Sequence, residues 1–286
     1  MTYKKKLVSI IVNCHNGEKF VSRCISSILD QSYKNFEIIF FDNKSTDKTL
    51  NLLRIIKDKR IKYFKTNKFL KLYEARNLAI KEAKGEFIAF LDIDDTWEKN
   101  KLIKQIKLML KTKSDICFTN HWVSNNKKIL FRKNLSSKNI FFQIINDYPI
   151  SILTVMIRRS LLIKKKIFFD KRYEIIGDFD LFYRLSNFAK FCCIDEPLAT
   201  YYIHGNNLSI KKIRTEILEF DFWIKKNKRI LNEFDNQVIE KNNLRKCNYL
   251  LLNNRLNIFS KEINLLKYNY KLKIYIKIIL KNLGLL

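Results

Sequence analysis

Glycine, proline and histidine are scarce in this chain, with five, two and three among its 286 residues. Four of the glycines, at 17, 85, 177 and 205, stand in or beside segments that read as loops, where a chain needs backbone freedom or close approach to a ligand. No glycine-rich loop carrying Lys or Arg follows the first strand, which argues against a nucleotidyl-transferring enzyme. The six cysteines show no C-x-x-C spacing and mostly lie in apolar surroundings, so they read as reduced core residues of a cytosolic protein. Residues 2–6 lead directly into the first strand, without the pattern of a secretory leader. No uninterrupted apolar run approaches the roughly 20 residues of a membrane span, so the expectation is a soluble or peripheral protein. There is no internal repeat.

What the chain has in abundance is positive charge. Its 56 Lys and Arg against 28 Asp and Glu give a formal net charge of +28. Such a surplus attracts phosphate of any kind, whether nucleotide, nucleic acid or anionic lipid. Part of it reflects a composition rich in Lys, Ile, Asn and Phe. The length suits one large domain, or one domain with an appendage.

The most informative stretch is 86–97, Glu-Phe-Ile-Ala-Phe-Leu-Asp-Ile-Asp-Asp-Thr-Trp. An apolar run of the kind buried on both sheet faces ends in three acids within four residues, Asp92, Asp94 and Asp95. In an extended backbone Asp92 and Asp94 project to the same side, where a divalent cation would relieve their repulsion. Hard oxygen ligands suit Mg²⁺ or Mn²⁺. The alternative is that Asp94 and Asp95 cap a helix starting near Trp97.

The rest of the first half alternates strands with helices. Strands read at 7–12, 36–41, 61–64 and 85–91, and helices follow the loops at 13–17 and 42–47 and occupy 73–83. This spacing fits right-handed crossovers and an α/β fold with a mostly parallel sheet flanked by helices, whose ligands bind at the carboxyl ends of the strands. Further on, 116–123 and 153–157 read as strands and 178–188 as a helix. Two short strands, 190–194 and 200–203, are separated by Pro197. From about 210 the pattern becomes long and helical, so the expected domains are 1–209 and a basic helical region, 210–286. Within it, 267–281 mixes Lys with Tyr, Ile and Leu; such a helix either lies on an anionic membrane or packs on the domain before it.

Five segments in order, Val8-Ser-Ile-Ile-Val-Asn-Cys-His-Asn-Gly17, Phe41-Asp-Asn-Lys-Ser-Thr-Asp47, Glu74-Ala-Arg-Asn77, Leu91-Asp-Ile-Asp-Asp95 and Gly177-Asp-Phe-Asp-Leu181, resemble the family 2 glycosyltransferases. The resemblance spans about 6–209. It implies the GT-A fold, with a C-terminal helical region appended. It also implies a metal-dependent, inverting, non-processive transfer of one sugar from a nucleoside-diphosphate sugar, UDP favoured, to a hydroxyl of a glycan or lipid-linked acceptor. Family enzymes of this size commonly build bacterial surface glycans on lipid-linked acceptors, and the basic C-terminal region suits a peripheral protein on the cytoplasmic face of the membrane. No Gln-x-x-Arg-Trp element follows 178, which sets the chain apart from processive synthases.

By the same resemblance, Asp92 and Asp94 form the D-x-D element, Asp94 as the direct ligand of Mn²⁺ or Mg²⁺ and Asp92 nearer the ribose or donor sugar. Asn13 and His15 fall where the family contacts the nucleobase. Asp42 and Asn43 take the place of a paired Asp, and Asn43 departs from it, though an amide carbonyl accepts from uracil N3–H as a carboxylate does. Arg76 reaches phosphate or base, or is a helix-surface cation. Asp178 is the catalytic base, in a place usually preceded by Glu where this chain has Gly177; alternatively it caps a helix from Phe179. Asp180 reads as structural. His204 approaches the diphosphate or metal, or is a solvated loop residue. Trp97 stacks on the acceptor sugar, or belongs to the core or a lid. Two rival readings, a nucleic-acid-binding protein and an inactive scaffold of the same fold, are opposed by the dispersal of the positive charge and by the intact acids at 92, 94 and 178.

Overall fold

The computed structural model describes residues 6–125, 127–231 and 237–252, with 271, 274 and 277 beyond them. The chain forms two compact units, Met1–Ile144 with Pro149–His204, and Ile145–Tyr148 with Gly205–Leu286.

In the first unit the elements run β1 (Val8–Cys14), α1 (Val21–Leu29), β2 (Phe36–Asp42), α2 (Thr49–Ile55), β3 (Ile61–Lys65), α3 (Leu72–Glu82), β4 (Phe87–Phe90), β5 (Thr96–Trp97), α4 (Lys101–Thr112), β6 (Ile116–Asn125) and β7 (Lys127–Leu130). They continue with α5 (Ile140–Asp147), whose last residues enter the second unit, then β8 (Met156–Arg158), α6 (Arg159–Lys165), α7 (Gly177–Ser186) and β9 (Phe191–Tyr202). Every residue of β1 and β2 is buried, as a strand covered on both faces requires. Val8, Ile10 and Val12 meet Val21, Ile25 and Ile28 of α1 and Leu102, Ile106 and Met109 of α4. The alternate residues of β1 and β2 face α3, which buries Ala75, Ala79 and Ile80.

One sheet runs through the unit in the order β3-β2-β1-β4-β8-β6-β9-β5, with β7 paired to β6. From β3 to β4 it is parallel. Beyond β4 it is mixed, since β8 is antiparallel to both β4 and β6 while β9 is parallel to β6. The parallel half brings the carboxyl ends of β1, β2 and β4 side by side.

Three local readings differ from expectation. The two short strands around Pro197 are one strand, β9; Pro197 lies opposite Asn120 at a register shift, where a missing N–H costs no ladder bond. Residues 152–154 form a 3₁₀ turn, so the strand expected at 153–157 begins only at Met156. The helix expected from Trp97 begins at Lys101, behind the two-residue strand β5.

The second unit holds α8 (Leu208–Lys211), α9 (Ile213–Lys226), α10 (Lys228–Leu231) and α11 (Gln237–Leu252). α9 turns Ile217, Phe220 and Trp223 inward. Glu216 and Asp221 of α9 pair with Arg245 and Lys246 of α11 at 3.3 and 2.7 Å. The basic stretch 267–281 lies outside the described residues except for Lys271, Ile274 and Lys277. Among the described residues no helix is long and apolar enough to cross a membrane.

Candidate active site

The site is assembled where the parallel strands end. Cys14 O accepts from Asn43 N–H at 2.7 Å and Ile11 O from Leu91 N–H at 3.0 Å, which ties the three loops after β1, β2 and β4 together. Gly17 is needed there, because a Cβ would stand 2.6 Å from Cys14 Sγ and 2.8 Å from Ile93. In the first loop the amide of Asn13, 8 % exposed, has neither its oxygen nor its nitrogen hydrogen-bonded. An orphaned buried amide costs free energy unless a ligand completes it. His15 donates from Nδ1 to Asn43 O at 2.9 Å, and its ring meets the edge of Phe69 at 4.7 Å.

The second loop is committed internally. Asp42 accepts from Ser45 N–H at 2.7 Å and from Tyr63 O–H at 2.6 Å. The Asn43 carbonyl accepts from Leu70 N–H at 2.9 Å while its NH₂ donates to Leu70 O at 2.8 Å, so the amide holds the 66–71 loop. In this arrangement its carbonyl is already engaged rather than presented to a uracil.

After β4 the chain turns at once, with Asp95 N–H bonded to Asp92 O at 3.0 Å. The acids therefore do not share one side as an extended strand would place them; each has its own partner. Asp92 receives the guanidinium of Arg76 at 2.5 Å. Arg76 is 3 % exposed, which replaces the helix-surface alternative with a buried cation beneath the acidic loop. Asp94 Oδ2 lies 2.9 Å from His204 Nε2, and Phe20 stacks on the His204 ring at 5.0 Å. Asp95 is buried and accepts from Tyr202 N–H at 3.0 Å. Neither Asp94 nor Asp95 caps a helix, because α4 starts later behind Asn100. Burial pushes the carboxyls of Asp94 and Asp95 up, that of Asp95 well up, and their acidic neighbours add to the shift.

Asp178 approaches from α7. The helix starts at Gly177 behind Ile176, so Asp178 lies in the first turn and does not cap it. Its Oδ1 is 3.1 Å from the hydroxyl of Tyr73, which also donates to Ile175 O at 2.7 Å. Tyr73 stands three residues before Arg76 on α3, one helical turn away, and the Arg76 guanidinium lies 5.5 Å from its ring. Asp180 is structural as expected, paired with Arg184 at 2.8 Å.

Trp97 is not an acceptor platform. It is 5 % exposed, sits in β5 opposite Ala199, and donates Nε1–H to Leu153 O at 2.8 Å. An indole this buried, with its N–H spent on a backbone carbonyl and Lys101 over its ring at 4.1 Å, belongs to the core.

Two contributors carry no motif. Tyr73 could have been found from its helical spacing to Arg76. Arg23, which donates to Asp94 O at 2.5 Å and covers the ring of Tyr202 at 3.8 Å, gives no signal in sequence.

Among the described residues no three His, Cys, Asp or Glu side chains form a complete metal cage. The set present is the Asp94 carboxylate with a His204 nitrogen beside it and a surplus of negative charge around both. That set fits a hard divalent ion that takes the rest of its shell from diphosphate and water.

A family model described as Glycosyl transferase family 2 matches residues 9–176. The chain belongs to this family. A relative, UDP-Glc:alpha-D-GlcNAc-diphosphoundecaprenol beta-1,3-glucosyltransferase WfgD of Escherichia coli, is 40 % identical over 157 residues, 54 % of this chain and 62 % of the relative. Less than two thirds of that glycosyltransferase is therefore matched. S. aureus TarS 1-349, solved in complex with UDP-GlcNAc, superposes with a TM-score of 0.66 at 20 % identity, covering 90 % of this chain and 78 % of the other. The mannosyltransferase PcManGT of Pyrobaculum calidifontis, solved with GDP-Man and Mn²⁺, gives 0.63 at 15 % identity, covering 96 % and 84 %. At these identities the two structures establish a shared GT-A fold.

Proposed function

We propose that this family 2 member transfers one sugar from a UDP-sugar to a hydroxyl of a lipid-linked glycan acceptor in surface-polysaccharide synthesis, inverting the anomeric centre. One observation carries the reading: three loops and the start of α7 converge on an Asp94–His204 pair, an Arg76–Asp92 ion pair and an Asp178 carboxylate met by Tyr73. The orphaned amide of Asn13, with His15 and Phe69 nearby, is the nucleobase end. Arg76 fixes Asp92, which faces the ribose or donor sugar.

Asp178 acts as general base. It takes the proton of the acceptor hydroxyl as that oxygen forms its bond to the anomeric carbon, and the bond from that carbon to the diphosphate oxygen breaks on the opposite side. Asp94 and His204 would hold Mn²⁺ or Mg²⁺, which would supply Lewis-acid stabilisation of the charge on the departing diphosphate. The relatives' lipid-linked acceptor and the high positive charge together favour work as a peripheral protein on the cytoplasmic membrane face.

The test is calorimetric titration of the purified chain with UDP, GDP, CDP and dTDP, each with Mn²⁺ and with chelator. Metal-dependent preference for UDP is the expected result, and Asp94→Ala is expected to abolish the metal dependence. A folded chain that binds none of the four nucleotides would sink the donor reading; unchanged Mn²⁺ dependence in Asp94→Ala would sink the metal assignment.

A further inference from the structure

We infer that Arg23 of α1 is a positioning residue for the Asp94–His204 pair: its guanidinium fastens the acidic loop to the end of β9 and so keeps the Asp94 carboxylate against His204. This builds on the reading of Asp94 and His204 as the protein ligands of a divalent ion.

The two members of the pair come from distant parts of the chain. Asp94 lies in the loop after β4 and His204 follows β9, 110 residues later, so no local turn sets the distance between them. Helix α1 reaches both. Arg23 Nη2 donates to Asp94 O at 2.5 Å, and the same guanidinium covers the ring of Tyr202, the last residue of β9, at 3.8 Å. Phe20, three residues before Arg23 and one turn away, stacks on the His204 ring at 5.0 Å. The start of α1 therefore meets the end of β9 twice, at Tyr202 and at His204.

The acidic loop is tied to the same place from its other side, because Asp95 accepts from Tyr202 N–H at 3.0 Å. The contacts close a ring: Tyr202 holds Asp95 by its backbone and Arg23 by its aromatic face, and Arg23 holds the carbonyl of Asp94. Arg23 is the member that can be replaced without removing an acid or altering the strand. Its hydrogen bond goes to the main chain, and among the described residues it forms no ion pair with a carboxylate, so it fixes the loop without competing for the Asp94 side chain. A planar guanidinium suits this place, since it donates in its plane while its face lies on an aromatic ring.

The effect on metal affinity has a sign that separates two roles. As a nearby positive charge alone, Arg23 would repel a divalent cation, and its removal would tighten metal binding. As a group that holds a ligand in place, its removal weakens binding, as loss of an outer partner of a metal ligand does.

Arg23 is exposed, so its replacement leaves the core intact. For the full chain, wild type, Arg23→Gln and Arg23→Lys, UDP affinity is measured by calorimetry over a series of Mn²⁺ concentrations. The Mn²⁺ concentration that gives half the full gain in UDP affinity is expected to rise about 10- to 100-fold in Arg23→Gln. Arg23→Lys, which keeps a charge and a donor but not the plane, should rise less. A second readout needs no metal: in the ligand-free chain, amide hydrogen exchange at Asp95 and Tyr202 is expected to speed up about fivefold in Arg23→Gln while β1 and β2 keep wild-type rates. An unchanged or lower Mn²⁺ requirement in Arg23→Gln overturns the inference, and so does unchanged exchange at both amides. Exchange accelerated equally in β1 and β2 overturns it in favour of a general role in the fold. A wild type whose UDP binding does not respond to Mn²⁺ overturns the metal reading itself, and this inference with it.

Discussion

Tyr73 stands where a side chain at position 177 would have to go. A Cβ on Gly177 would lie 2.5 Å from its ring, so the glycine that replaces the family's usual Glu and the tyrosine on α3 are one steric unit. The ring fills the space and the hydroxyl meets Asp178, so Tyr73 positions the carboxylate proposed as the base. Tyr73→Phe keeps the ring and loses the hydroxyl; kcat is expected to fall about tenfold with the donor KM unchanged, whereas a purely structural role would lower the melting temperature alone. Asp178→Asn should leave UDP binding intact and stop transfer. Gly177→Ala should cost about 1–3 kcal/mol by overpacking, and less in a Tyr73→Ala background, which a double-mutant cycle of unfolding free energies measures. Of these residues, Asp178, Asp94 and Asn13 were legible as candidates because they end strands or open helices in recognisable segments. The partners were not. That Asn43 is spent on Leu70, and Trp97 on Leu153, depends on contacts across 27 and 56 residues that no local pattern encodes.

At the scale of elements, the strands β1, β2 and β4 were legible because burial on both faces writes a continuous apolar run, and the helices between them because apolar residues recur at helical spacing. The second half was harder to read, since β5 and β8 are two and three residues long and β9 passes through a proline at a register shift. Helix α4 conceals a further cost. Its first residue, Lys101, is fully buried over the Trp97 ring at 4.1 Å, with Gln105 Oε1 accepting from Nζ at 2.7 Å. Burial pushes this amine down to about 7. Between that value and the ordinary lysine range near 10.4 the unfolded chain holds a proton that the folded chain lacks, so this residue's contribution to stability rises with pH. From pH 6 to 9 the gain is roughly 2–3 kcal/mol. Lys101→Met should remove that dependence, which denaturant unfolding of both proteins at the two pH values would reveal as a difference in slope. Equal slopes would mean that the amine stays charged on folding.

Over the whole molecule the positive charge is more than a compositional excess. Among the described residues five carboxylates are buried, those of Glu37, Asp42, Asp95, Asp180 and Glu240, against two cations, Arg76 and Lys101. Among the described residues the fold withdraws more acidic than basic side chains from the surface, so it does not offset the positive excess of the sequence there. Such a surface repels itself in the compact state. It also contains exposed ion pairs, such as Lys241 with Asp147 at 3.1 Å, that salt weakens. The two effects oppose each other. Exposed pairs are each worth about 0–1 kcal/mol, and the charges left unpaired far outnumber them, so relief of repulsion should win. Raising the ionic strength from about 0.01 M to 0.15 M shortens the Debye length from about 30 Å to about 8 Å, which removes repulsion across the molecule but spares contacts at hydrogen-bond distance. The melting temperature of the ligand-free chain is therefore expected to rise over this range of sodium chloride. A fall would mean that the surface ion pairs, rather than the excess charge, set the balance.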